Sequence, residues 1–143
     1  MGILQRIVLV MIMLVVTACG GGGGAEVTVT VPIRATMATV VTGTTAVGTV
    51  SVTGLAVAAP YGLNFAVTMP PGATLSAVAT SGGYAASGFA SISGTNGLIL
   101  VSSDVASGEI MTVTFANVPS GAQASDFGIA VTAVYDRNGT LIQ

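Results

Sequence analysis

Apolar and small polar residues alternate with a period of two through most of the 118 residues that follow Ala25, and this constrains the fold more than any other feature of the chain. Successive side chains of an extended strand point to opposite faces, so such a pattern buries one face and wets the other. Val27, Val29 and Val31 alternate with Thr28 and Thr30. A second run from Ile33 to Thr42 ends at a Gly43-Thr44-Thr45 turn, and Val50 and Val52 then alternate with Ser51 and Thr53. Gly54 reads as a bulge before Leu55 to Ala58. Leu63, Phe65, Val67 and Met69 share one face until Pro70-Pro71-Gly72 stops the strand.

The remaining strands are Leu75 to Thr80, a run from Tyr84 to Ile92 that is either strand or excursion, and Leu98 to Ser102 behind an Asn96-Gly97 turn. Glu109 to Ala116 follows, with Met111, Val113 and Phe115 inward and Pro119-Ser120-Gly121 beyond. Phe127, Ile129, Val131, Ala133 and Tyr135 form the next inward set, closed by Asp136-Arg137-Asn138-Gly139, and Thr140 to Ile142 returns as a short strand. No window shows a helical stripe. The expectation is an all-β chain of eight or nine strands, packed as an antiparallel β-sandwich.

Charge excludes further classes. From Glu26 onward only Arg34 and Arg137 stand against Glu26, Asp104, Glu109, Asp126 and Asp136, a formal net charge of −3. Two arginines make no basic stripe, so nucleic acid is not an expected partner. Histidine and lysine are absent from the whole chain, which leaves five acids to serve as base or nucleophile. Asp104 and Glu109, the closest acidic pair, flank a turn and read as solvated, so no enzymatic activity is expected. Scarce charge also removes the usual guard against edge-to-edge association.

The N-terminus has another character. Met1 to Ala18 carries Arg6 as its only charge, an apolar stretch from Ile7 to Val16, and then Val16-Thr17-Ala18-Cys19 directly before five glycines. About 20 apolar residues are needed to span a bilayer, and this run is shorter. The segment resembles a bacterial lipoprotein signal peptide with its lipobox, which implies cleavage after residue 18 and acylation of Cys19, the only cysteine. The domain boundaries are then 1–18 signal peptide, with its signal helix, 19–25 lipidated cysteine and Gly-rich tether, and 26–143 the β-sandwich. Gly20 to Gly24 hold no regular element. About seven tether residues span roughly 15 Å, which keeps the domain close to the lipid. The resemblance implies a bacterial cell-envelope location, and Gly20 after the cysteine, in place of Asp, favours the outer membrane, with the domain facing the periplasm or the cell surface.

A second resemblance covers nearly the whole domain. Gly62-Leu63-Asn64-Phe65-Ala66-Val67, the Pro71-Gly72 turn, Gly97-Leu98-Ile99-Leu100-Val101 and the strand from Gly108 to Phe115 follow in order. With the closing segment from Val134 to Ile142, they resemble a cohesin-like β-sandwich, an immunoglobulin-like sandwich being the other option. The cohesin-like reading implies a jelly-roll domain that binds proteins or polysaccharides without transforming them.

Few residues are candidates for chemistry. Asp136-Arg137-Asn138-Gly139 looks like the opening of a calcium loop, with Asp104 or Asp126 as further oxygen donors, but no bidentate acid follows at loop spacing. A hairpin turn with Asn138-Gly139 at its tip explains the same residues, and no cofactor is required. Tyr61 and Tyr84 sit beside glycines as candidate sugar platforms or as caps of a sheet end. The expected function is a lipid-anchored, non-catalytic protein- or carbohydrate-binding module. The alternative is a structural subunit of a surface layer or fibre, an oligomer built by pairing edge strands such as Val27 to Val31.

Overall fold

A computed structural model describes residues 32–54, 61–85, 88–102 and 107–143. Cys19, its leader and tether, Val27 to Val31, Leu55 to Ala58 and Asp104 lie outside the described residues. The described chain is an antiparallel β-sandwich. One sheet runs β1 (Arg34–Thr42), β2 (Thr45–Thr53), β7 (Gly108–Ala116), β4 (Thr74–Thr80), and the other runs β5 (Phe89–Ser93), β6 (Gly97–Val101), β3 (Gly62–Thr68), β8 (Gly128–Tyr135). We call these sheets A and B. β1 packs beside β8 at one open side of the sandwich, and β4 beside β5 at the other. The pairing of β2 with β7 and of β3 with β6 is nested, as when a long hairpin is rolled up, which is the principle of a jelly roll.

Alternation carries the inward residues to the middle of this sandwich. Val50 and Val52, Leu63, Phe65 and Val67, and Met111, Val113 and Phe115 are all buried, as their periodicity requires, and Met69 packs against them partly covered. Leu98, Leu100 and Val118 complete the centre. Phe115 meets Phe127 with ring centroids 4.8 Å apart and planes at 55°, an arrangement favoured by ring quadrupoles. Phe127 closes the β7–β8 connection, so this ring pair ties that connection to sheet A.

Three β-bulges interrupt the period. Val50 faces Met111 while Ser51 faces Glu109, which leaves Ile110 as an extra residue of β7. Both Ile110 and Met111 are therefore buried although they are adjacent. Ser76 is the extra residue of β4, its hydroxyl donating to the Thr114 carbonyl at 3.0 Å. Thr132 is the extra residue of β8, since Asn64 faces Ala133 and Phe65 faces Val131. This last bulge corrects the expected inward set. Phe127, Ile129 and Val131 face the core, but the phase then flips and Val134 is buried where Ala133 and Tyr135 were expected.

Several turns also differ from expectation. The β5–β6 loop is Gly94-Thr95-Asn96, with its positive φ at Gly94, because Ser93 already faces Gly97. Asn96 instead accepts the Val67 amide at 2.8 Å, which extends the β3–β6 ladder. The ambiguous run from Tyr84 resolves into a 3-10 turn at Gly82–Tyr84 and then β5. The bulge expected at Gly54 involves Leu55 to Ala58, which lie outside the described residues. Gly54 itself follows the end of β2 at φ 86°, where a Cβ would stand 2.6 Å from the Pro32 carbonyl oxygen. The expected returning strand is reduced to one bridge, Tyr135 to Leu141, with bonds from Val134 to Gln143 and from Ile142 to Val134.

Candidate functional site

Antiparallel connectivity sorts the loops to two poles. The β2–β3, β4–β5 and β6–β7 connections and the segment after β8 all leave strand ends at the pole where β1 begins. The opposite pole carries the Gly43-Thr44 hairpin, the Pro70-Pro71-Gly72 turn, the Gly94 loop and residues 117–127. Of the residues that the sequence nominates for chemistry, Tyr61, Tyr84, Asp104, Asp136 and Asn138 belong to the first pole's connections, as does the entry to β1, whereas Asp126 belongs to the opposite pole.

At that pole the nominated residues hold their own loops. Asp136 Oδ1 accepts the backbone N–H groups of Asn138 and Thr140, each at 2.8 Å, and Gly139 donates to the Asp136 carbonyl. This is an Asx-type turn, in which a short acidic side chain replaces missing backbone partners. Asp126 does the same work at the opposite pole, where Oδ2 accepts the Gln123 amide at 2.8 Å. Among the described residues no three His, Cys, Asp or Glu side chains come together as metal ligands. Asp136 and Asn138 alone fall short of the six to eight oxygens of a calcium cage. Tyr61 prolongs β3, donating its amide to the Tyr135 carbonyl at 2.9 Å and accepting from Ser102 at 3.0 Å, with its residue 39 % exposed. Tyr84 ends the 3-10 turn that follows Ser81, whose amide bonds to the Ile110 carbonyl at 3.0 Å. The two tyrosines thus leave different sheets.

A larger surface was missed by motif reading. The outer face of sheet A is built from rows across its four strands: Val40, Val47, Thr114 and Ala77, and then Ala38, Thr49, Thr112 and Ala79. Neither row holds a charge. Val40 and Val47 pair directly and are 68 % and 45 % exposed, a methyl-rich patch bordered by hydroxyls. The signal for it was in the sequence, because a two-residue turn at Gly43-Thr44 requires residues 40 and 47 to face each other.

The edge of sheet A at β1 is equally distinctive. Gly43 takes φ 62° while Thr44 does not share a positive φ, which makes the turn type II′ and makes Thr42 and Thr45 the hydrogen-bonded pair that flanks it. Even-numbered residues of β1 therefore bond to β2, and Ala35, Met37, Thr39 and Val41 aim both backbone groups at the open side. Ile33 has the same parity, and there the Gln143 carboxamide supplies both partners. The Ile33 amide donates to Oε1 at 2.8 Å and Nε2 donates to the Ile33 carbonyl at 3.0 Å. A side chain thus imitates one rung of a neighbouring strand, and no described residue continues the imitation along β1.

No protein-family model, curated protein or solved structure gives a significant match to this chain. Among the described residues, no helix is long and apolar enough to cross a membrane.

Proposed function

We propose that the chain is a lipid-anchored, non-catalytic docking module of the bacterial outer membrane, its sandwich displayed close to the bilayer by the short tether behind Cys19. The observation that carries this reading is the outer face of sheet A, two uncharged rows of Thr, Ala and Val across four strands. A face of methyls and hydroxyls without an aromatic ring suits a neutral protein surface better than a sugar ring, which prefers an aromatic plane. The nested strand pairing supports the cohesin-like resemblance. Photo-crosslinking amino acids placed at Thr49 and Thr112 test the docking face in intact envelopes. Adducts with a protein should form from these positions and not from Ala130 on the outer face of sheet B. Equal labelling from both faces, or a glycan in place of a protein, overturns it. The anchor is tested by Cys19→Ser, which should move the product out of the detergent phase. Unchanged partitioning would refute lipidation.

A second reading, a structural subunit assembled by strand pairing, is favoured by the β1 edge. Nine residues long, it carries no charge after Arg34 and no proline, the devices that normally blunt such an edge.

A further inference from the structure

We infer that the edge of β1, which no described residue pairs from Ala35 to Val41, pairs antiparallel with β1 of a second copy of this chain, in one register, with Ala38 on the two-fold axis. The inference rests on the second reading above and names its partner and geometry. The residues whose backbone groups face outward are Ala35, Met37, Thr39 and Val41, from the parity set by the Gly43-Thr44 turn. Only a chain in extended form presents donors and acceptors at the matching repeat of about 6.8 Å. The Gln143 carboxamide at Ile33 shows this chemistry already satisfied at the rung that precedes them.

The register follows from using all four rungs. Ala35 then bonds with Val41 of the second copy and Met37 with Thr39, so the axis must pass between residues that sum to 76, at Ala38. Two consequences favour a second copy as the occupant. Arg34, the only charge on the strand, falls opposite neutral Thr42, so no like charges meet. Ala38 faces its own counterpart as a non-hydrogen-bonded pair, where Cα atoms approach to about 4.5 Å and a small side chain is needed. Val40 and Thr36 meet beside it, which covers part of the most exposed valine of the sheet. The two copies of sheet A become one eight-stranded sheet.

The test uses the full chain in detergent with Cys19→Ser, so that an introduced thiol is alone. Under mild oxidation Ala38→Cys should cross-link to a dimer in most molecules, since its Cα separation falls in the range a disulfide spans. Thr49→Cys lies in the same row one strand inward, about 14 Å from its counterpart, and should cross-link at least ten-fold less. Adding Ala38→Lys to the unmodified surface should dissolve the dimer while the far-UV spectrum of the strands is kept. Equal cross-linking at Ala38 and Thr49, or a dimer that survives Ala38→Lys, overturns the inference. Cross-linking through Thr36→Cys or Val40→Cys instead would overturn this register and leave edge assembly standing. A monomer throughout would refute both.

Discussion

Phe115 offers the sharpest test of how the sandwich is held together. It is fully buried on β7, an interior strand of sheet A, and faces Ala46 on β2 and Leu75 on β4. An aromatic side chain of this kind buries about 170 Å², worth about 4 kcal/mol at 25 cal/mol per Å². Phe115→Ala should therefore cost about 3–5 kcal/mol, a large share of the 5–15 kcal/mol typical of a domain. Phe127→Ala should cost about 3 kcal/mol, because Phe127 is nearly as well buried, at 6 % exposure. The double variant should be less destabilised than the two losses added, by about 0.5–1.5 kcal/mol for the tilted ring pair. Urea unfolding of the four proteins, with the Cys19→Ser chain as parent, measures all three terms. The unfolding slopes must agree for the cycle to be read. A coupling near zero would mean that the β7–β8 connection is not docked through Phe127. A loss below about 2 kcal/mol at Phe115 would refute the central place given to β7.

Three further outcomes follow from local geometry. Gly82→Ala should cost at least about 2 kcal/mol, since φ is 58° and the new Cβ would stand 2.5 Å from the Glu109 carbonyl oxygen. Gly43→Ala, at φ 62° in open space, carries the backbone penalty of a type II′ turn without that clash and should cost less than Gly82→Ala; equal thermal shifts for the two would contradict this contrast. Asp136→Ala removes the acceptor of two turn amides and should destabilise the closing hairpin by about 1–2 kcal/mol, read as faster amide exchange at Ile142 with Val113 unaffected. Deleting Thr132 should remove the β8 bulge yet keep Val134 inward opposite Leu63, because Val131, Ala133 and Val134 then alternate regularly; the cost should stay below about 1 kcal/mol, and exposure of Val134 with a large fall in the urea midpoint would contradict the assignment of Thr132 as the extra residue.

The inward sets were legible wherever a strand kept its phase, as in Leu63 to Val67 and Met111 to Phe115, because burial on one face writes a period of two into the sequence. Phase was lost at the bulges. Nothing local distinguishes Thr132 from any other threonine in a strand; it becomes the extra residue only because Asn64 and Phe65 on β3 demand Ala133 and Val131. Sheet order was illegible for a related reason, since a Gly/Pro turn ends a strand without saying which sheet the next one joins. The turn reading of Asp136 to Gly139 needed only residues that are neighbours in sequence. The uncharged rows of sheet A needed register across four strands, and a motif search has no access to that. The expected edge at Val27 to Val31 lies outside the described residues, but its logic applies to β1, which has the same neutral alternation.

If the proposed lipid anchor and the proposed edge pairing both hold, together they constrain how the molecule would stand on a membrane. A two-fold axis between antiparallel strands of one sheet runs normal to that sheet, so two copies anchored in one bilayer bring the axis along the membrane normal. Their β1 strands then lie in the membrane plane with opposite directions, and the two chain entries, at the Arg34 ends, are about 27 Å apart. The seven tether residues 19–25 have a contour of up to about 23–25 Å in each copy, so two proposed anchors could together bridge that separation. Sheet A must then face either the lipid or the exterior. The proposed docking at the uncharged rows requires the outward orientation, in which a second copy would double their width. A protease site inserted at Gly43-Thr44 would sit beside the paired edge, so cleavage there in intact envelopes should be slowed several-fold relative to the Ala38→Lys chain; equal rates would disprove the pairing.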